Sequence, residues 1–324
     1  GAGMDTVAYA ATVMELARAD ASVAITMAAH TSLGTMPIVI AGSEEQKKKF
    51  VPPLASGEMI GAFGLTEPDA GSDAGATKTT AVKKGDEYIL NGGKIFITNV
   101  GEAGILNLTA RVIEGDEDKG IGAFIIETNT PGLIINPKEK KMGWCASDTR
   151  QIFFEDMAVP AKNMLGTPGI GFKTFLKTLT GGRISIAALS VGTALGAYER
   201  ALKYAAERKA FGKVIHKFQA IGNKLADMAT EIEAAKLLTF HAAWMKDQGL
   251  DIQKEAAMAK LFASETAMRT TTEAIQIHGG YGYVKEYDVE RYFRDAKILE
   301  IGEGTSEIQR LIISKNIVNS VKAM

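Results

Sequence analysis

Residues 78–99 read KTTAVKKGDEYILNGGKIFITN, and this stretch decides the fold class because it interrupts a chain that is otherwise helical. It holds several short segments rich in β-branched and aromatic residues, and turn signals such as the NGG of residues 91–93 separate them. Residues 105–112 and 121–127 continue the pattern. Because no helix-length crossover lies between these segments, they predict an antiparallel sheet or small barrel, and we expect no parallel sheet.

Helical sequence lies on both sides of this region. Residues 4–58 predict helices that Asp5 and Ser43 can cap at their N-termini. Long helices return from about residue 166, and two of their predicted apolar faces are Ile221, Leu225, Met228, Ile232 and Ala235, then Met258, Leu261, Phe262, Met268 and Ile275. The predicted fold class is therefore α+β. It has an N-terminal helical domain at residues 1–60, a middle β domain at 61–165 and a C-terminal four-helix bundle at 166–324.

Composition and charge exclude several functional classes. The 324 residues carry a formal net charge of -1, so the chain lacks the basic field that nucleic-acid binding usually needs. With Cys145 as its one cysteine the chain can form no internal disulfide, and its four histidines form no metal-binding motif. We therefore expect no metal and no nucleic-acid partner.

The apolar residues 21–41 are the strongest candidate for a membrane span. His30, Gly34 and Pro37 interrupt them, whereas a spanning helix needs about 20 predominantly apolar residues. We interpret them as buried helix and loop, and we expect no membrane association. No signal or transit pattern is visible.

The functional signal lies in four local strings. They are FGLTEPDAGSD (residues 63–73), KIFITN (94–99), ERKAFGK (207–213), and QIHGGYGY with RDAKILEIGEGTSEIQR (276–283 and 294–310). Together and in this order they resemble the acyl-CoA dehydrogenase family, closest to its short-chain, butyryl-CoA-oxidising members. The resemblance runs from about residue 4 to the C-terminus. Relative to that family, the chain lacks the first helices of the N-terminal domain.

The resemblance implies FAD as cofactor, bound between the middle β domain and the C-terminal bundle. The loop that contains Thr66 and Ser72 would contact the flavin pyrimidine, and Thr98 would hydrogen-bond the ring. Phe96 would lie against the flavin, where many relatives carry tryptophan. The FAD-binding residues implied in this way are Phe63, Leu65, Thr66, Ser72, Phe96, Ile97, Thr98, Arg208, Phe211, Gln219, Gln276, Ile277, Gly279, Gly280, Thr305 and Glu307.

In the family, the ERKAFGK loop serves an FAD held in a neighbouring subunit. Arg208 would reach the diphosphate, since its planar guanidinium makes paired hydrogen bonds to phosphate. Residues 276–280 would complete the cradle, with His278 as a packing residue rather than a base. The resemblance therefore implies a homo-oligomer, most often a tetramer, with an electron-transferring flavoprotein as electron acceptor.

Glu303 is the residue that we expect to be catalytic. It lies between Gly302 and Gly304, and the family's base is the glutamate of an EGT string, here residues 303–305. Some subfamilies place the base one residue before an arginine on the helix after the β domain. That position holds Gly182, before Arg183, so it cannot serve.

The substrate is expected to be an acyl-CoA, and the residues implied in binding it are Ser72, Thr180, Arg183 and Gly304. Thr180 stands where many relatives have an aspartate that contacts CoA. Gly302 replaces a tyrosine often found before the catalytic glutamate. We hypothesise that this glycine widens the acyl pocket and admits a branched acyl group.

The expected reaction is the α,β-dehydrogenation of a short-chain acyl-CoA to the trans-2-enoyl-CoA. Two alternatives stay open on the sequence: an acyl-CoA oxidase that uses O2, and a non-catalytic acyl-CoA-binding homologue. We expect a cytoplasmic protein if the source is bacterial and a mitochondrial matrix protein if it is eukaryotic.

Overall fold

The computed structural model describes residues 3–322. Its helices are α1 (Thr6–Ala19), α2 (Ala21–Ala28), α3 (Met36–Ala41), α4 (Glu44–Ser56), α5 (Gly171–Glu207), α6 (Gln219–Asp247), α7 (Gln253–His278), α8 (Val289–Lys297) and α9 (Ser306–Lys322). Its strands are β1 (Gly61–Gly64), β2 (Thr80–Lys84), β3 (Glu87–Thr98), β4 (Ile105–Glu114), β5 (Glu117–Glu127), β6 (Leu133–Ile135), β7 (Thr149–Pro160), β8 (Lys209–Ala210) and β9 (Lys213–Val214). This order of helices, sheet and helices confirms the predicted fold class.

The chain forms two compact units. The first, called the sheet unit, comprises residues 26–140 and 147–182 together with Gly3. The second, called the helical unit, comprises residues 4–25, 141–146 and 183–322. The predicted domain bounds at residues 60 and 165 stay a prediction.

The sheet unit is built on seven strands in the order β1-β4-β2-β3-β7-β6, with β5 paired to β4. Four pairs are antiparallel as predicted: β2 with β3, β3 with β7, β4 with β5, and β6 with β7. However, β4 runs parallel to both β1 and β2, so the expectation of no parallel pairing was wrong. In the chain, β3 follows β2 and runs antiparallel to it. The next strand, β4, can therefore run parallel to β2 without a helical crossover.

The core of the sheet unit packs aromatic side chains against aliphatic ones. Tyr88 and Phe124 meet edge to face with their ring centroids 5.3 Å apart. Phe175, which is fully buried, stacks on Phe63 at 4.2 Å. Each such ring contributes about 1.5–3 kcal/mol through burial alone, so these contacts stabilise the core of the sheet unit.

Residues 21–41 are helical throughout, which corrects the interpretation of helix and loop. A π-helical stretch, Ala29–Thr35, joins α2 to α3. Gly34 lies so close to β1 that a Cβ atom on it would come within 2.4 Å of the Gly61 backbone. Within residues 3–322, this is the one helix long and apolar enough to cross a membrane, and half of the stretch is buried inside the protein.

Both predicted N-caps are confirmed. The Asp5 carboxylate accepts a hydrogen bond from the Ala8 N–H at 2.7 Å. Ser43 and Gln46 form a capping box, in which Ser43 Oγ accepts from the Gln46 N–H at 3.2 Å and Gln46 Oε1 accepts from the Ser43 N–H at 2.8 Å. Such caps satisfy N–H groups that the first turn of a helix leaves unpaired.

In the helical unit α7 packs against α6, α8 and α9. The predicted face of α6 is buried except for Ile221, which is half-buried. The predicted face of α7 was wrong, because its large residues are only half-buried and its alanines and threonines lie inside instead. Small residues allow neighbouring helices to approach closely, so they occupy the interior of this bundle.

Candidate active site

Glu303 lies in the turn between α8 and α9, and its backbone is strained. Its φ is 52° and that of Gly304 is 92°, so two consecutive residues have left-handed conformations. A non-glycine residue in this region costs of order 1–3 kcal/mol and persists only where its surroundings hold it. This strain is an indication of function at Glu303 that the sequence alone does not reveal.

The carboxyl group of Glu303 is held away from water. The residue as a whole is half-buried, but its Oε2 atom is inaccessible to solvent and has no hydrogen-bond partner. Burial raises the pKa of Glu303 to about 7, against the opposing effect of the positive charges of Lys260 and Arg183. A carboxyl group with a pKa near neutrality is well matched to proton abstraction at physiological pH.

The Glu303 turn is held by two side chains that are not among the residues predicted from the sequence. Lys260 on α7 donates from Nζ to the Gly304 carbonyl at 2.7 Å. Gln309 on α9 donates from Nε2 to the same carbonyl at 2.9 Å and to the Glu303 carbonyl at 3.4 Å. Lys260 and Gln309 are both fully buried. Lys260 lies four residues after Ala256 on the alanine-rich face of the helix, but this position alone does not predict that a lysine is buried.

Arg183 is the second cation of the site. It is 8% exposed, and its Nε has no hydrogen-bond partner. Burial lowers the pKa of Arg183, while the charge of Glu303 acts in the opposite direction. Buried polar atoms without partners include Arg183 Nε, Glu303 Oε2, Ser306 Oγ and Gln309 Oε1. Because native structures rarely leave such atoms unpaired, this group of atoms indicates a site for a polar ligand.

Thr305 caps α9, the helix that follows the Glu303 turn. Its Oγ1 accepts a hydrogen bond from the Ile308 N–H at 3.3 Å, and its carbonyl accepts from the Gln309 N–H at 2.9 Å. Thr305 is therefore a helix cap as well as a predicted cofactor contact, while Glu307 is exposed.

In the sheet unit, the predicted flavin loop is fixed by a buried ion pair. Glu67 and Ala70 exchange backbone hydrogen bonds at 3.1 Å, which closes the tight turn. Lys94, fully buried, donates to Glu67 Oε1 at 2.7 Å and to the Leu65 carbonyl at 3.1 Å. Burial lowers the pKa of Lys94 to about 8, against the effect of Glu67. The loop that follows is open, because a Cβ on Gly71 would meet nothing within 4 Å.

Phe96 projects from a β-bulge. The register between β3 and β7 shifts between Lys94 and Ile97, where two residues of β3 face one of β7. Phe96 has a φ of 60° and is 63% exposed, whereas Ile97 is buried. The Ile95 N–H donates to the Thr66 carbonyl at 2.9 Å, which ties the loop of residues 63–73 to this bulge. The structure thus places Thr66 beside the bulge that carries the exposed Phe96 ring.

Residues predicted to hold the FAD diphosphate line one cleft of about 570 Å³ in the helical unit. Arg208 lines it, and its guanidinium lies 5.3 Å from the centre of the Tyr281 ring. Gly279 and Gly280 form another wall, where a Cβ on either would meet nothing within 4 Å. The cleft therefore has both the cation and the open backbone that a diphosphate needs. His278 is buried with its ring stacked on Tyr204, as expected of a packing residue.

Other predicted residues do not line this cleft. Phe211 is 94% exposed at the tip of the β8–β9 hairpin, where it and Gly212 both have positive φ. Positive φ at both loop residues is the requirement of a type I′ hairpin turn, and a bulky residue rarely adopts it. Gln276 is exposed on α7. The roles proposed for these two side chains stay predictions.

The predicted substrate residues divide between the two units. Arg183 and Gly304 belong to the cluster around Glu303, whereas Ser72 and Thr180 belong to the sheet unit. Thr180 Oγ1 donates to the Leu176 carbonyl at 3.0 Å within α5, and Ser72 is exposed. Over residues 3–322, no group of three or more acidic, histidine or cysteine side chains could hold a metal ion.

Three family models match the chain consecutively. The N-terminal domain of acyl-CoA dehydrogenase matches residues 1–58, the middle domain residues 62–157 and the C-terminal domain residues 169–318. The short-chain specific acyl-CoA dehydrogenase of Clostridium acetobutylicum is 50% identical over 317 residues, which cover 98% of this chain and 84% of that protein.

Solved structures agree with these matches. The butyryl-CoA dehydrogenase of Megasphaera elsdenii superimposes with a TM-score of 0.95 at 49% identity, over 98% of this chain and 83% of that one. A structure described as the electron transferring flavoprotein of Acidaminococcus fermentans gives the same TM-score, identity and coverage. An acyl-CoA dehydrogenase of Bacillus anthracis complexed with FAD gives 0.95 at 38% identity, over 100% of this chain and 59% of that one.

Proposed function

The chain belongs to the acyl-CoA dehydrogenase family, and on that basis we propose that it oxidises a short-chain acyl-CoA to the trans-2-enoyl-CoA with Glu303 as the base. The observation that carries the proposal is the buried Glu303 carboxyl in a strained turn, because burial raises its pKa to about 7 against the opposing charges of Lys260 and Arg183. An ordinary surface carboxylate would need neither the strain nor the burial.

Glu303 would take the proton from the α-carbon of the thioester. Loss of this proton builds negative charge on the thioester oxygen, so a hydrogen-bond donor must meet it there. We assign that donation to the Glu303 backbone N–H, as the family resemblance implies. Arg183 would balance the charge of the site while the carboxyl group cycles between its ionised and protonated forms, because its guanidinium stays protonated.

FAD is the cofactor of this proposal. Phe96 with Thr66 and Thr98 would bind its ring system, and Arg208, Gly279 and Gly280 would hold the diphosphate of an FAD bound by a neighbouring subunit. Bound FAD supplies the acceptor for the hydride that leaves the substrate β-carbon. The exposed Phe96 ring and the open walls at both glycines fit such a group without displacing other side chains.

We further propose an electron-transferring flavoprotein as the electron acceptor and a homo-oligomer as the working state. The similarity to the Acidaminococcus fermentans structure supports the acceptor. The half-buried large residues of α7 support an assembly, because Met258, Phe262 and Met268 would gain burial against another chain. The cellular location remains a proposal: cytoplasm in a bacterium, mitochondrial matrix in a eukaryote.

The proposed function is tested by turnover with butyryl-CoA and two acceptors in parallel. With an electron-transferring flavoprotein we expect the product to be the substrate less two hydrogen atoms, identified by mass spectrometry. With dissolved O2 alone we expect little product and little hydrogen peroxide. Rapid peroxide formation would instead identify an acyl-CoA oxidase, and no product with either acceptor would contradict the proposal.

Substitution of Gly302 should change which acyl group is preferred. A Cβ at this position would lie 3.5 Å from the Ile298 carbonyl oxygen, an ordinary contact, so a side chain can be accommodated locally. We expect Gly302→Tyr to lower kcat/KM for isobutyryl-CoA relative to butyryl-CoA by about tenfold, since a filled pocket rejects the extra branch. Gly302→Ala is the matched control and should leave the ratio nearly unchanged. An unaltered preference between isobutyryl-CoA and butyryl-CoA in Gly302→Tyr would contradict the hypothesis that this glycine sets the pocket width.

The rate should rise with pH around neutrality. Glu303 acts as a base only when ionised, and burial raises its pKa to about 7. We therefore expect kcat/KM to increase by about tenfold per pH unit below pH 7 and to level off above it. The check is a pH profile with a slow substrate, for which proton removal limits the rate. A profile that is flat from about pH 5.5 to about pH 8.5 would mean that Glu303 does not titrate as proposed.

A further inference from the structure

Lys260 is a buried charged residue with no role so far in the proposed reaction. It lies on α7 with none of its surface exposed, beside the buried Ala256, Ala257 and Ala263. A buried ammonium group costs several kcal/mol of desolvation unless it is paired and hydrogen-bonded. Its place in the interior therefore calls for a compensating interaction.

The interaction is with the catalytic turn. Lys260 Nζ donates to the Gly304 carbonyl at 2.7 Å, and Gln309 Nε2 donates to the same oxygen at 2.9 Å. Two buried side chains, from α7 and α9, thus hold one carbonyl next to the base. Because Glu303 is a non-glycine residue with positive φ, the turn needs such external restraint to keep its conformation.

Electrostatic interaction is a second link between Lys260 and Glu303. The groups that act on Lys260 electrostatically are Glu303, Arg183, Glu300 and Glu307. Burial lowers the pKa of Lys260 to about 8, so the side chain is still a cation at pH 7. Its positive charge opposes the effect of burial on Glu303 more strongly than that of Arg183 does.

We propose that Lys260 is the positioning residue of the base: its hydrogen bond to Gly304 holds the left-handed turn, and its buried charge keeps the Glu303 carboxylate ionised. The inference rests on the proposed role of Glu303. It adds that Lys260 acts through Glu303, without touching substrate or cofactor.

Removal of the charge should shift the pH at which Glu303 ionises. In Lys260→Met, which keeps the length but neither charge nor donor, we expect the acid limb of kcat/KM to move up by about one pH unit. The ionised fraction at pH 7 would fall from about one half to about one tenth, which is about a fivefold loss of rate. Lys260→Arg keeps both charge and donors, so the limb should stay near its wild-type position. A side chain that served only for packing would lower the rate without moving the limb.

A second readout separates this inference from the proposed function. The protonated carboxyl of Glu303 can be titrated by infrared difference spectroscopy, with Glu303→Gln used to assign the band. We expect the midpoint to rise by about one pH unit in Lys260→Met and to stay in place in Lys254→Met, which removes a half-exposed lysine from the same helix. This titration needs no turnover, so it remains decisive even if the enzyme oxidises no acyl-CoA.

The contradicting result is a wild-type midpoint in a folded Lys260→Met protein. That outcome would leave Lys260 as a packing residue and overturn the proposal. If Lys260→Met does not fold, Lys260→Gln decides the question, because glutamine is neutral but can still donate a hydrogen bond. The midpoint of the Glu303 titration should also rise in this variant, and an unchanged midpoint would likewise contradict the proposal.

Discussion

Glu303→Gln is expected to lower kcat with butyryl-CoA by on the order of 10²–10⁴. Glutamine has nearly the same shape and cannot take a proton, so the loss reports proton abstraction rather than packing. Since the wild-type Oε2 has no hydrogen-bond partner, the substitution breaks no contact of that atom within the described chain. Steady-state kinetics, with flavin content determined for each preparation, measures the effect.

The control for this variant is the same substitution at an exposed carboxylate. Glu45, in the first turn of α4, is exposed, so Glu45→Gln should retain wild-type kcat. We also expect Glu303→Gln to keep its flavin and its unfolding transition. A kcat within about threefold of wild type would show that another group removes the proton, because a positioned base normally contributes at least about 10²-fold.

Lys94→Met is expected to cost about 3–5 kcal/mol of stability, because it leaves Glu67 as an uncompensated buried charge. Lys94 and Glu67 are 0% and 5% exposed, and Lys94 Nζ also donates to Thr109 Oγ1 at 3.3 Å. Glu67 would retain only the backbone N–H groups of Lys78 and Thr79, at 2.7 and 3.1 Å. Urea unfolding of the full chain measures the change.

The pH dependence of this loss has a definite sign. Burial alone would raise the pKa of Glu67, but Lys94 and the hydrogen bonds from Lys78 and Thr79 lower it overall. The stabilisation is therefore present above the pKa of an unfolded glutamate and is lost as the pH falls through the lower folded value. Lys94→Met should accordingly destabilise more at neutral pH than in acid.

Two controls bracket the Lys94 result. The double variant Glu67→Gln with Lys94→Met removes both charges, so it should recover part of the lost stability. Lys78→Met breaks the ion pair between Lys78 and Asp69. Both of these side chains are 72% exposed, so this variant should have nearly the stability of the wild type. If Lys94→Met and Lys78→Met were equally stable, the buried pair would not be what fixes the predicted flavin loop.

The sequence predicts those parts of the site that local strings encode. Glu303 is predicted as the base because the EGT string resembles that of the family, and Arg208 is predicted as a diphosphate ligand because the ERKAFGK string does. The strain at Phe96 could not be predicted. Its bulge arises from the register between β3 and β7, and those strands come from distant parts of the chain.

Lys260 shows the same limit for charge. A lone lysine in a helix is ordinarily solvated, and only the packing of α7 against its neighbours puts this one in the interior beside the Glu303 turn. The parallel pairing of β4 with β1 and β2 is also a property of the assembled sheet. Alternation along a strand predicts which side chains lie inside, but it does not predict which strand lies alongside.

The most direct test of the central claim is the visible absorption spectrum of the purified, FAD-loaded protein before and after anaerobic addition of butyryl-CoA. We predict that the flavin band of the wild type bleaches, and that the band of Glu303→Gln persists under the same conditions. Bleaching in both proteins would contradict the assignment of the base. A wild-type band that no saturated short-chain acyl-CoA bleaches would contradict the proposed reaction itself.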